Sequence, residues 1–237
     1  MKNVRLIYKK YGSLKFVSHL DMNRFMTRIL RKSKIPVWYT EGFHKHTYIT
    51  FALPLSLGFC SEWEVMDFKI SDDDFEIKKA EELIKSVCPD GIEVIELCEP
   101  EYKSGKITAA EFKIDFAADS GVTVDNLNDF LSQESIVVYK KSKKGTVSEI
   151  DIAPKILKYN ISRKTADENG EKIGENGENG ENGENTVSLT VKLPAGAQDN
   201  LNPKMLTAAL FEKISSKHPF CTYNRTMLYV ADGVIFK

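Results

Sequence analysis

The chain has 237 residues, 42% of them hydrophobic and 28% charged, with a formal net charge of -1, the balance of one or two globular domains and not of a disordered or fibrous chain. No apolar run approaches the ~18 residues a membrane helix needs, and the start MKNVRLIYKKYG lacks the apolar stretch and small-residue cleavage site of a secretory signal, so a cytoplasmic protein is expected. Cys60, Cys88, Cys98 and Cys221 form no CxxC grouping, which excludes a locally encoded zinc ribbon or iron-sulfur motif and predicts reduced, partly buried thiols.

In chain order, VRLIYKK alternates and reads as a strand. SHLDMNRFMTRILRKS places Met22, Phe25, Met26, Ile29 and Leu30 at helical spacing behind an N-cap at Ser18, with Asp21 three positions on. The opposite side of that helix carries Arg24, Arg28 and Arg31 at i, i+4 and i+7. Pro36 ends the helix, and PVWYT, YITFALPL and EWEVMDFKI read as extended runs. DDDFEIKKAEELIKSVC predicts a helix with an acidic start suited to its dipole, and IEVIELCE a closing strand. The order is that of the ferredoxin-like split βαβ pattern, with helices on one face of an antiparallel sheet.

The second half approximately repeats the order. EFKIDFA is a strand, TVDNLNDFLSQ a helix capped by Thr123, and SIVVYKK, GTVSEIDI and ILKYNIS further strands, the last able to pair with TVSLTVKL. NPKMLTAALFEKISS opens a helix on Pro203 and CTYNRTMLYV closes as a strand. The expected architecture is α+β, two tandem ferredoxin-like domains at 1–100 and 101–237. The acidic repeat at 167–185 has too little apolar surface to offset its ordering entropy and is expected to be a disordered insertion without a site.

Charge is strongly polarised. Residues 1–50 hold eleven Lys or Arg against Asp21 and Glu41, while residues 51–100 hold four Lys against thirteen acids, which makes the first stretch a candidate polyanion surface. Beyond the arginine stripe lies a loop, EGFHKHTY, with Gly42, Phe43, His44, Lys45 and His46 between the aromatics Trp38, Tyr39 and Tyr48. Cations neutralise phosphates and aromatic rings stack on unpaired bases, so Arg24, Arg28, Arg31, Tyr39, Gly42, Phe43, Lys45 and His46 form a candidate RNA-binding set. The competing reading makes Trp38 and Phe43 core residues and the arginines a solvated face. A metal site from His19, His44 and His46 lacks an accompanying acidic cluster. General acid-base catalysis by His19 or His46, as in metal-independent RNA cleavage, is the enzymatic alternative.

The block LKFVSHLDMNRF through EGFHKHTYITFALPLSLGFCSEWEVMDFKI, with GTVSEIDIAPKI and NRTMLYV further on, resembles the radical SAM-linked proteins, a bacterial domain of unknown function. The resemblance covers nearly the whole chain. The matching positions are His19, Asp21, Arg24, Gly42, Phe43, His46, Phe51, Pro54 and Gly58; where the family usually shows FNPHPR this chain has FHKHTY, so His44, Lys45 and Tyr48 look particular to it. The resemblance implies a radical SAM enzyme as partner and an accessory role, with no catalysis and no cofactor of the chain's own. The tandem order also looks like that of CRISPR repeat-processing endoribonucleases, a likeness of fold alone. A protein-docking module without RNA contact is the third alternative.

Overall fold

The computed structural model describes residues 1–141, 147–164 and 186–237; the acidic repeat lies outside them. The fold is mixed α+β, with a mostly antiparallel multi-stranded sheet and, among the described residues, four α-helices. The chain divides into two compact units, Met1–Glu111 with Ala195–Asn200 and Tyr223–Lys237, and Phe112–Pro194 with Leu201–Thr222.

In the first unit, β1 (Lys2–Lys10) lies between β4 (Ile92–Cys98) and the long β3 (Phe59–Ile70), antiparallel to both. The far edge of β3 is shared. Its beginning takes β10 (Cys221–Tyr229) in parallel at Phe59–Ser61, and its end takes β2 (Ile49–Phe51) antiparallel at Met66–Phe68. The order is therefore β4-β1-β3, followed along that edge by β10 or β2. PVWYT is not a strand: Val37 and Tyr39 make only isolated bridges, to Ile70 and Thr47.

Two helices cover one side of this sheet. α1 (His19–Lys32) is capped at Ser18, whose Oγ accepts from the Asp21 amide, and it buries Met22, Met26, Ile29 and Leu30 against Val4, Leu6, Tyr8, Met66, Phe68 and Ile70. Each such side chain contributes about 1.5–3 kcal/mol on burial. α2 (Ile77–Lys85) adds Ala80 and Ile84. It starts later than its acidic run predicts, because Asp72 accepts from the Asp74 amide in a turn ahead of the helix.

The same face of the sheet buries a charge pair. Arg225 on β10 donates from Nη2 to Glu64 on β3 and, at 2.9 Å, to the Leu53 carbonyl just beyond β2; Arg225 and Glu64 are 1% and 3% exposed. Tyr8 and Lys10 of β1 are their buried neighbours: burial pushes the Tyr8 hydroxyl well above its usual value, helped by Glu64, and pulls the Lys10 ammonium down. A second pair involves Arg5, fully buried, which binds Asp67 through two 2.7 Å bonds and lies 4.3 Å over the Phe236 ring.

In the second unit, α3 (Val124–Leu131) opens with a capping box between Thr123 and Asn126. β6 (Val137–Lys141) and β7 (Val147–Asp151) pair as an antiparallel ribbon, and β8 (Lys158–Lys164) pairs antiparallel with β9 (Thr186–Pro194). α4 (Pro203–Lys213) starts on Pro203 behind the N-cap Asn202, and its Phe211 meets Phe116 edge-on at 5.9 Å. β5 (Ala109–Phe116) and β10 each give residues to both units.

Arg225→Met strands the Glu64 carboxylate in the core and is expected to lower unfolding free energy by about 3–5 kcal/mol, with Glu64→Met in the same chain recovering most of it. Urea unfolding measures both. A loss below about 1 kcal/mol for the single variant would show that the pair holds nothing.

Candidate nucleic-acid interface

Burying the apolar stripe of α1 leaves its other side no choice. Arg24, Arg28 and Arg31 are all exposed, and at about 1.5 Å of rise per residue they span about 10 Å of helix axis. Arg24 is engaged by Asp21 at 3.1 Å, but both side chains are about 60% exposed, so solvent screens the pair and it contributes less than about 1 kcal/mol. Arg31 and Lys32 lie in the last turn, where positive charge suits the helix dipole. Lys34, just past the end, takes a left-handed backbone at φ 59°.

After Pro36 the chain folds back on itself around residues 41–45. Trp38 donates its amide to Lys69 on β3, Tyr48 returns its amide to Trp38, and Tyr39 bridges Thr47. Trp38 and Tyr48 meet edge-on at 5.7 Å, with the Lys69 ammonium 5.0 Å from both ring centres. This half-buried cluster is the loop's root.

The tip is braced by its own polar groups. Thr40 donates its amide to the His46 carbonyl at 2.9 Å, and its Oγ1 accepts the His46 amide at 3.2 Å. His46 Nδ1 lies 3.0 Å from Thr40 Oγ1 and 3.1 Å from the His44 carbonyl. A carbonyl only accepts, so the contact with the His44 carbonyl is a hydrogen bond when Nδ1 carries the proton. Gly42 sits at φ 126°, a conformation favouring glycine, with open space where a Cβ would be. Phe43 is 105% exposed, as bare as the ring can be, so it belongs to no core. Lys45 and His44 are exposed beside it.

Helix and loop are linked where Arg31 lies 6.0 Å over the Tyr39 ring, itself 40% exposed. The stripe therefore leads into the loop. His19 stands at the other end of α1, exposed, with its ring 5.1 Å from Phe51 in an edge contact. Among the described residues no contact joins His19 to His44 or His46, and no three His, Cys, Asp or Glu side chains gather as a metal set. Cys60, Cys88 and Cys98 are free thiols, all four cysteines are half-buried, and burial pushes the Cys88 thiol up to about 11. No helix among the described residues is long and apolar enough to cross a membrane.

Two features of the first unit carried no signal in the sequence. One is the buried Arg225–Glu64 pair with Tyr8 and Lys10, a concentration of titratable groups shut inside the unit. The other is a recess of about 780 Å³ lined by both signs of charge, among them Lys2, Lys69, Asp67 and Glu101, which does not favour a polyanion.

Residues 3–203 match a family described as an uncharacterized protein conserved in bacteria, DUF2344. The chain belongs to that family. No curated protein matches it.

Thr40→Val removes the side-chain acceptor of the His46 amide while leaving Thr40's backbone bond in place. Hydrogen exchange at that amide is expected to speed up about two- to tenfold, the worth of one ordinary hydrogen bond, with global stability within about 1 kcal/mol of the parent. Unchanged exchange would mean that the tip is held otherwise.

Proposed function

We propose that this chain is an RNA-binding protein, without catalysis of its own, that holds tRNA or rRNA for a partner enzyme. The observation that carries the reading is the basic face of α1 running, through the Arg31–Tyr39 contact, into a braced loop with an exposed aromatic tip. Arg24, Arg28, Arg31 and Lys45 are assigned to phosphates, and the His46 ring supplies a hydrogen-bonding group suited to a ribose hydroxyl. Asp21 holds Arg24 only through an exposed pair, which a phosphate can replace at small cost.

The resemblance to radical SAM-linked proteins supports a radical SAM enzyme as that partner, in the cytoplasm. Exposed apolar residues fit a protein contact too: Phe16, Leu20 and Leu57 are 69%, 62% and 56% exposed, and the Gly58 amide donates to the Lys15 carbonyl at 2.7 Å, tying the segments of Phe16 and Leu57 together. Tandem ferredoxin-like domains, split near residue 100, are the architecture we infer. In the first half the antiparallel pairing of β4, β1, β3 and β2 with α1 and α2 supports it, and in the second the element sequence β5, α3, β8, β9, α4, β10, with the β6–β7 ribbon inserted after α3.

Binding of total cellular RNA across a salt series tests the reading. Three or four phosphates neutralised on a single strand give a slope of log K on log salt of about -2 to -3. Arg28→Glu/Arg31→Glu is expected to cut affinity at least tenfold and flatten that slope to about -1, with the thermal midpoint held, since both positions are exposed. Wild-type protein that ignores RNA would overturn the proposal and leave protein docking. RNA cleavage lost in His19→Ala with binding intact would replace it with the nuclease.

A further inference from the structure

We propose that the RNA segment taken by this face is unpaired, with Phe43 as the platform on which one of its bases stacks; this rests on the RNA-binding reading above.

Phe43 is presented, not merely left outside. Its ring is 105% exposed, the glycine before it takes φ 126°, and the residues on either side of the tip are tied by Thr40 to His46 and by His46 to His44. Bracing lowers the ordering entropy that stacking would otherwise cost. A bare phenyl ring carries no polar group, and a flat nucleobase face is a surface it can stack on.

A duplex does not supply that face. Its bases are stacked on one another, its major groove is too deep and narrow for a side chain, and its minor groove offers hydroxyls and base edges. An unpaired nucleotide supplies both parts at once, a charged backbone for the arginine stripe and a free base for the ring. The stripe's geometry agrees. Arg24 to Arg31 covers about 10 Å along one line, a length that a short run of one strand's phosphates can follow. Tyr39, half exposed beneath Arg31, marks where that track meets the loop.

The test compares a labelled oligoadenylate of about a dozen nucleotides, within the usual span of single-strand sites, with a mixed-sequence RNA duplex of equal strand length, by anisotropy at fixed salt. Wild-type protein is expected to favour the single strand about tenfold. Phe43→Ala is expected to lose about tenfold on the single strand, with little change on the duplex and none in salt slope, because stacking is not a counterion effect. Phe43→Trp keeps the platform: it restores the preference, and its added fluorescence is quenched by the single strand but not by the duplex. Equal wild-type affinity for the two RNAs, or a Phe43→Ala loss shared equally between them, would overturn the stacking proposal while leaving RNA binding standing. Failure of the wild type to bind either RNA would overturn both.

Discussion

The first unit depends on what happens along one edge of β3. That strand is too long for one partner: β10 pairs with its beginning and β2 with its end, in opposite directions. At the change of partner, Arg225 reaches back from β10, binds Glu64 and takes the Leu53 carbonyl as the chain leaves β2. One guanidinium thus satisfies a backbone group that the sheet no longer serves and neutralises an acid that the core cannot leave alone. Removing it would uncouple β2 from β10 and strand a charge.

The surface follows from that hub by elimination. With β1 and β3 fixed in register, their helix-facing side is an apolar bed of Val4, Leu6, Met66, Phe68 and Ile70, and α1 must lay Met22, Met26, Ile29 and Leu30 on it. A helix that buries one stripe exposes the other. The arginines face water because the methionines cannot. The loop after Pro36 is fixed by the same strand, through the Trp38 amide on Lys69 and the Lys69 ammonium against Trp38 and Tyr48. Stripe and loop are therefore set by neighbouring stretches of β3, and the Arg31–Tyr39 contact is where they meet.

Local rules made much of this legible. The period of α1, its Ser18 cap and the helix start at Pro203 rest on neighbours within a few residues, and the pairing of ILKYNIS with TVSLTVKL follows from two matching β-rich runs. The arginine stripe was legible for the same reason. What failed to show was non-local. In EWEVMDFKI, Glu64 has the look of a solvent-facing acid on an alternating strand, and only a partner 161 residues away makes it a core residue. Arg225 gives no more warning inside CTYNRTMLYV. PVWYT has strand composition, yet the chain doubles back before a ladder can form, leaving isolated bridges. Phe43 was ambiguous in principle, because an aromatic beside glycine and histidine serves a core or a ligand equally well until its exposure is known.

RNA bound as proposed lies along α1 and over the loop tip. Photocrosslinking of the protein to bound cellular RNA, with crosslinked peptides mapped by mass spectrometry, tests this placement. Crosslinks are expected on Tyr39, Phe43 or His46 and on peptides carrying Arg24, Arg28 and Arg31, all competed away by oligoadenylate. Crosslinks confined to the second compact unit, or a loop and helix that stay unlabelled while RNA is bound, would contradict it.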